Sequence, residues 1–391
     1  MASSVTFFPV DNGDTTLIKL NDKTTILIDI NIRQAGEDEN ASACDVIQEL
    51  RKRLEKDDDG RPSIDAFLLS HPDQDHCRGL QKYFHLGPLE DYNFDPPEGE
   101  DSKIVIRGMW SSPAVFGRAS KHNPLCDDAK AFHKEAKRRV KVFRENGSPS
   151  DGDRITIIGE DENGKTDDLE EILVRVDEVF RKVNGKTNKH VSIRIVGPLP
   201  LQDDSEEEEQ LTKNHSSVIM RFSLKAGDKE DACLFLTGGD AGVYIWERLW
   251  KKHESNPAVL EYDLLQTTHH CSWHSLSNDS WKDDENPQVN EEAKAALSQA
   301  RDGAMIVASS KPIKDDKNDP PCWGAKKEYE SMTESVDGQF FCTGEYPDKE
   351  NPEPLTFKVS EESPQSPSKR SSSVTGPAII GASTRVPLHH G

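Results

Sequence analysis

Between residues 71 and 76 the chain reads His71-Pro72-Asp73-Gln74-Asp75-His76, two imidazoles and two carboxylates in six positions, directly after the apolar run "SIDAFLLS". Such side chains are costly to bury unless something pairs with them, and a metal ion suits both types at once. Alternate residues of an extended stretch point the same way. His71 and Asp73 can therefore face one point, while Asp75 and His76, where the chain turns into a helix, face a second point beside it. Later strand ends offer more ligand types: Asp240 after "LFLTGG", and His269 and His270 after "DLLQTT". Singly, Asp240 reads slightly better as a helix N-cap than as a ligand, and the histidines read equally well as exposed loop residues. Three strand ends in chain order, each supplying ligand-type residues, point to one shared site. A pair of ions about 3.5–4 Å apart would activate water and clamp a leaving oxygen.

The elements that must position these residues are legible in outline. "SVTFFPV", "DTTLIKL" and "TTILIDINI", separated by turn residues, predict an antiparallel meander. Val46, Leu50 and Leu54 at four-residue steps predict a helix that stops before Gly60. "SIDAFLLS" reads as a buried strand, "CRGLQKYFHL" as a helix and "KIVIRGMWSS" as a strand. "CDDAKAFHKEAKRRVKVFREN" predicts a long helix, "DRITIIG" a strand, "DDLEEILVRVDEVFRKV" a helix, and "HVSIRIVGPLP" a strand. A second batch follows: strands "SSVIMRFSL" and "ACLFLTGG", helix "AGVYIWERLWKKH", strand "EYDLLQTT", helix "EEAKAALSQARDG" and strand "AMIVASS". Strands in two batches interleaved with helices predict an α+β fold, an αββα sandwich with two packed sheets and outer helices. An acidic insertion at about 201–213 interrupts it. The expected organisation is one domain over 1–350 and a disordered Pro/Ser-rich tail over 351–391, whose composition cannot bury enough apolar surface and which offers a segment for a protein partner.

The bulk numbers limit the partners. With 71 acidic against 49 basic residues among 391, the net charge is −22, which repels a phosphate backbone at long range. A local exception is "KEAKRRVKVFR", where Lys134, Lys137, Arg138 and Lys141 share one helical face, either as a phosphate-binding edge or as an ordinary solvated surface. Seven cysteines, odd in number and without a C-x-x-C pair, argue for reduced thiols rather than a disulfide scaffold. No apolar run reaches the length of a membrane span and the N-terminus lacks the features of a signal peptide, so the expectation is a cytoplasmic protein without a membrane partner.

His-x-Asp-x-Asp-His after a strand, an Asp after "LTG" and a His after a further strand together resemble the metallo-β-lactamase fold hydrolases. The likeness is closer to the hydrolase domain of ComEC-type competence proteins. "NGDTTLIKL…TILIDINI" is similar to that branch's opening hairpin, "LLSHPDQDHCRGL" to its metal-binding loop, "NHSSVIMRF…LFLTGGDA" and "LLQTTHHCSWHS" to its later motifs. The likeness spans about residues 5–310. It implies His71 and Asp73 on a first divalent ion, Asp75 and His76 on a second, Asp240 bridging and His269 as the last ligand, with His270 contacting the leaving group. His215 is the candidate for the family's further histidine, and Asn214, Ser217 and Ser272 are candidates for substrate contact. Asp73 stands where most of the superfamily has histidine, Cys271 replaces a glycine, and Gly238-Gly239 doubles a single one.

What this implies is a phosphodiesterase or nuclease that uses a dinuclear centre of zinc or manganese, magnesium being possible, to activate hydroxide, with Asp75 as acid/base. Two alternatives stay open: a hydrolase of a small nucleotide or other small ester, which the negative charge favours, and a catalytically degenerate interaction module.

Overall fold

Apolar side chains at every second position build two sheets and decide how they face each other. The computed structural model describes residues 2–33, 44–96, 98, 101–117, 124–147, 149–159, 164, 166–200, 216–362 and 364–365. The first sheet contains β1 (Ser4–Phe7), β2 (Thr16–Lys19), β3 (Thr25–Ile28), β4 (Ala66–Leu68), β5 (Gly108–Ser111), β6 (Arg154–Ile158) and β7 (Leu173–Val174). The second contains β8 (Val179–Phe180), β9 (Val191–Gly197), β10 (Ile219–Ala226), β11 (Lys229–Leu236), β12 (Tyr262–Gln266), β13 (Ala300–Ala308) and β14 (Gln339–Cys342). The chain then returns to the first sheet as β15 (Leu355–Val359) and β16 (Pro364–Gln365). The orders are β7-β6-β5-β4-β3-β2-β1-β15-β16 and β8-β9-β10-β11-β12-β13-β14.

Both sheets are mixed in the same sense. Each has an antiparallel part, β1–β2–β3 or β8 to β11, that passes into parallel pairing at β3–β4 or β11–β12. Phe7, Ile28 and Leu68 of one sheet and Met220, Phe235, Leu264 and Val307 of the other bury their side chains in a common core between the sheets. The neighbours Leu27, Phe67 and Ile157 point out of the first sheet. They pack with Leu50 of α1 (Val46–Arg51) and with Leu80 and Phe132 further along the chain. Leu265 and Ile306 do the same on the second sheet against Trp246 and Tyr329. The result is a sandwich with helices on both outer faces, each residue's side following from the two-residue period of a strand.

Several expectations change. "CRGLQKYFHL" is not one helix. It begins at the last residue of α2 (Gln74–Cys77), is broken where Gly79 takes a φ of +95°, and holds only the short α3 (Leu80–Tyr83) before turning extended at Phe84. The helix expected over "DDLEEILVRVDEVFRKV" is replaced by turns and the two-residue edge strands β7 and β8. Here pairing to the two sheet margins overrides local helical periodicity. "KIVIRGMWSS" splits into Ile104–Ile106, which joins a small four-stranded sheet, and β5. The long helix is present as α4 (Asp127–Asn146). The boundary at 351 is also corrected. β15 lies beyond it, pairs antiparallel with β1 and buries Leu355, Phe357 and Val359 in the inter-sheet core. The acidic insertion at 201–213 and the end of the tail from 366 lie outside the described residues. Among those that are described, no helix is long and apolar enough to cross a membrane.

Candidate metal centre

The carboxyl ends of parallel strands meet at one margin of the sandwich, where open α/β sheets commonly bind ligands. β4 runs into Ser70 and His71, β11 into Gly239 and Asp240, and β12 into Thr267–Cys271. The turn before β2 brings Asp14 to the same margin, and Asp29 follows β3 directly.

Asp240 is the hub, and its two oxygens face different partners. Oδ2 lies 3.7 Å from His71 Nδ1 and 3.8 Å from His269 Nε2. Oδ1 lies 2.9 Å from His76 Nε2 and 3.5 Å from His270 Nε2. Asp75 Oδ2 stands 3.3 Å from His270 Nε2, and Asp14 Oδ1 stands 3.6 Å from His270 Nδ1. Asp73 sits at the rim, 3.9 Å from His71 Nδ1 with its side chain about one-third exposed. Asp29 is fully inside. It accepts from His76 Nδ1 at 2.9 Å and from the Ser70 backbone N–H at 2.7 Å, and the Ser70 hydroxyl donates to it as well. With Nδ1 so engaged, His76 presents Nε2 inward, the way ligating histidines are oriented by an outer carboxylate.

Four carboxylates within this space need compensating charge. Burial pushes the Asp29 carboxyl up, against the pull of His76. Burial works the same way on Asp240, but His76, His269, His270 and His71 outweigh it and hold that carboxyl well below its usual range. Asp75 is likewise held low against burial, by His270 and then His76. On the histidines burial opposes charge. In His71 it wins and lowers the imidazole to about 4. In His270 the carboxylates of Asp240, Asp14 and Asp75 win and raise it to about 10, and His76 is raised by Asp240 and Asp29. Without an ion the surrounding carboxylates therefore favour the protonated imidazole at His76 and His270.

Those protons do not satisfy the site. His71 Nε2, both nitrogens of His270 and Asp14 Oδ1 are buried with no hydrogen-bond partner, so the close approaches around His270 are badly aligned as hydrogen bonds. Ligand atoms of His71, His76 and Asp240, of Asp75, His76 and His270, and of Asp14, Asp29 and His76 lie within 4.8 Å of one another in each group. These buried His/Asp groups could hold a metal ion, and imidazole with carboxylate is a donor set for zinc, manganese or iron.

Most of the expected residues converge, in altered roles. His270, expected at the leaving group, is 1% exposed and sits between Asp14, Asp75 and Asp240, whereas His269 keeps about a quarter of its side chain exposed. The reason is the backbone. His269, His270 and Cys271 are three consecutive non-glycine residues in the left-handed region, with φ of 49°, 54° and 66°, each costing about 1–2 kcal/mol. Ser217 and Ser272 are not placed for substrate. Ser217 is buried and its Oγ accepts the Asp240 N–H, and Ser272 is buried with its Oγ accepting the His274 N–H. Gly238 and Gly239 are closely enclosed. A Cβ on Gly238 would meet Thr268 Oγ1 at 2.6 Å, and one on Gly239, whose φ is +48°, would press on Ser70 and Ser217. His215 and Asn214 lie outside the described residues. On the basic helix, Arg138 is locked to Glu135 and Asp153 at 2.7 and 2.6 Å, which leaves Lys134, Lys137 and Lys141 as the exposed cations of that face. Asp14 and Asp29 were missed as site residues. Their signal was the Asp in the turn before β2 and the Asp closing "TILID".

No family model matches the chain, and no curated protein sequence matches it.

Proposed function

We propose that this margin is a two-ion hydrolytic centre of the metallo-β-lactamase type and that the protein is a metal-dependent phosphodiesterase. The supporting observation is the division of Asp240. One oxygen is shared by His71 and His269 and the other by His76 and His270, with unsatisfied nitrogens on His71 and His270. His71, His269 and the rim carboxylate Asp73 would hold one divalent ion, and His76, His270 and Asp75 the other, with Asp240 common to both. Zinc or manganese fits this set, and magnesium would compete where carboxylate dominates. Bound there, the ions would supply a nucleophile at neutral pH and Lewis-acid stabilisation of the transition-state charge.

The chain's own residues do the rest. Asp29 fixes the His76 tautomer. Asp14, buried behind His270, steadies that ring between carboxylates. About one-third of the Asp75 side chain is exposed, so its carboxylate can face both an ion and solvent, and it is the residue we assign to acid/base work.

A second reading, a small nucleotide or other small phosphoester in place of a polynucleotide, draws on two observations. Arg138 of the basic helix is paired to Glu135 and Asp153, and the chain carries a net charge of −22. Non-specific affinity for long nucleic acid comes from lysines and arginines displacing counterions, which this surface does not favour.

The test begins with elemental analysis after stripping and reloading with zinc or manganese, with two ions per chain expected. The loaded protein is then offered a generic aryl phosphodiester, linear and cyclic dinucleotides, and single-stranded DNA and RNA. Hydrolysis of the dinucleotides with little action on the polymers supports the second reading. A protein that retains no ion after loading overturns both.

A further inference from the structure

The ligand loop ends in a cysteine that the metal chemistry does not use. Cys77 follows His76 in α2, is fully buried, and its Sγ lies 3.4 Å from that of Cys126. Cys126 is half-buried and is the N-cap of the 20-residue α4, its sulfur accepting the Ala129 N–H at 3.4 Å. The two segments are already latched. The Asp128 carboxylate in the first turn of α4 accepts the N–H groups of Gly79 at 2.9 Å and of Gln81 at 3.0 Å. Cys77 also donates to the Asp73 carbonyl at 3.2 Å, so its sulfur is tied to the loop that carries Asp73, Asp75 and His76.

The remaining thiols are unlike Cys126, and so is Cys77 itself, which its contact with Cys126 and its burial push well up. Burial raises Cys44 to about 11 and Cys322 to about 12, and pushes Cys233 and Cys271 well up. Cys126 instead falls to about 7, chiefly through its contact with the Cys77 sulfur and then because helix N–H groups face it, against the effect of burial. A thiolate at a helix N-terminus with a second sulfur in contact is the arrangement of a reactive cysteine and its resolving partner.

We propose that Cys77 and Cys126 form a reversible disulfide on reaction with hydrogen peroxide, and that closing it weakens metal binding on the adjoining loop. The second half rests on the metal-centre reading above. The Cys126 thiolate attacks one peroxide oxygen, the O–O bond breaks, and the departing hydroxide takes up a proton to leave as water. Cys126 is then a sulfenic acid. Cys77 sulfur attacks Cys126 Sγ, the S–O bond breaks, and the hydroxyl leaves with the Cys77 proton as a second water. Two thiols lose two electrons and the peroxide gains them. A disulfide needs the sulfurs at about 2.05 Å, so Cys77 must leave the Asp73 carbonyl and turn α2, and with it Asp75 and His76, toward α4.

The full-length chain is stripped of metal and divided into reduced and peroxide-treated halves. Thiols are counted in denaturant, linked peptides are mapped by mass spectrometry, and zinc affinity is measured against a chromophoric chelator. The expected result is five of the seven thiols remaining, a Cys77–Cys126 linked peptide, and zinc affinity lowered about tenfold or more, as when an outer support of a metal ligand is lost. A reductant restores it. Cys126→Ser, which keeps a good N-cap, forms no linked peptide and keeps its zinc affinity under peroxide. By reciprocity, zinc shifts the thiol–disulfide equilibrium in a glutathione buffer by the same factor. Absence of the linked peptide overturns the proposal, and so does a linked protein that binds zinc within twofold of the reduced one. If the reduced protein takes up no zinc, the metal-centre reading fails, and the linked peptide still decides whether the sulfurs pair.

Discussion

Two loops supply most of the candidate centre, and they aim their side chains by opposite means. The loop after β4 uses ordinary backbone. Asp73 is extended, Asp75 and His76 lie in the first turn of α2, and the side chains separate because the chain changes from a two-residue to a 3.6-residue period. The loop after β12 uses three consecutive left-handed residues, His269, His270 and Cys271, at a cost that the local Cys271 and Ser272 N–H bonds to Thr268 O, at 3.2 and 3.4 Å, offset only in part. It is held from outside. Gly239 O accepts the His269 N–H, Cys271 O accepts the Cys322 N–H, and Asp319 accepts the Trp273 N–H at 3.0 Å. The first loop is written in its own residues, and the second is imposed by its neighbours. Backbone strain over-determined in this way is characteristic of functional sites.

The sharpest challenge to that picture is Asp240→Asn, which keeps shape but removes the charge common to both loops. Loss of both ions and of all hydrolysis is expected, read by elemental analysis and turnover, and a variant that keeps two ions would show that the loops bind independently. Next is the contrast between the two adjacent histidines. His270→Ala leaves Asp14, Asp75 and Asp240 without their buried partner and should cost about 3–5 kcal/mol in the metal-free protein. His269→Ala, at the partly exposed rim, should cost less than about 1 kcal/mol while losing one ion. Chemical denaturation with and without zinc separates the two, and equal costs would remove the distinction between a buried and a rim histidine.

The protons on the two loops give a third test. His76 and His270 are raised in the fold, His270 to about 10, so their stabilisation of the metal-free protein is complete below the unfolded value of about 6.5 and is lost as pH rises toward 10. Stability of the metal-free protein should fall over that window. Zinc should abolish the fall and, at pH 7.5, release about two protons per chain, seen as a buffer-dependent heat in calorimetry. No buffer dependence would mean that the histidines are already neutral.

Smaller effects bear on the second loop alone. Gly239→Ala, with φ of +48° and Ser70 and Ser217 each 3.1 Å from the new Cβ, should cost about 1–2 kcal/mol and push the loops apart. Cys271→Gly should leave stability within about 1 kcal/mol, because relief of the left-handed strain offsets loss of a buried thiol. A large loss in that variant would mean that the sulfur, rather than the backbone, holds the turn.

The residues decided by sequence alone are those whose position follows from a local period. The alternation in β3, β4, β12 and β13 sends Leu27, Phe67, Leu265 and Ile306 outward and their neighbours into the inter-sheet core. The run from His71 to His76, together with Asp240 and His269-His270 at strand ends, marks where chemistry gathers. Tertiary structure decided the rest. "DDLEEILVRVDEVFRKV" carries helical spacing, yet Leu173–Val174 and Val179–Phe180 within it are recruited as edge strands of two sheets because unpaired sheet margins gain more from pairing than an isolated turn of helix does. "LTFKV", beyond a boundary drawn from composition, is held because it fills the edge beside β1. Asp14 and Asp29 look like turn residues until the fold brings them within 3.8 and 2.9 Å of His76. Which histidine of the pair points inward is set by three strained φ angles that no sequence pattern announces. Local periods are short-range and legible in one chain segment, whereas the sign of φ in a turn and the partner of a buried carboxylate depend on atoms brought from distant segments of the chain, as far as Asp240 is from His76.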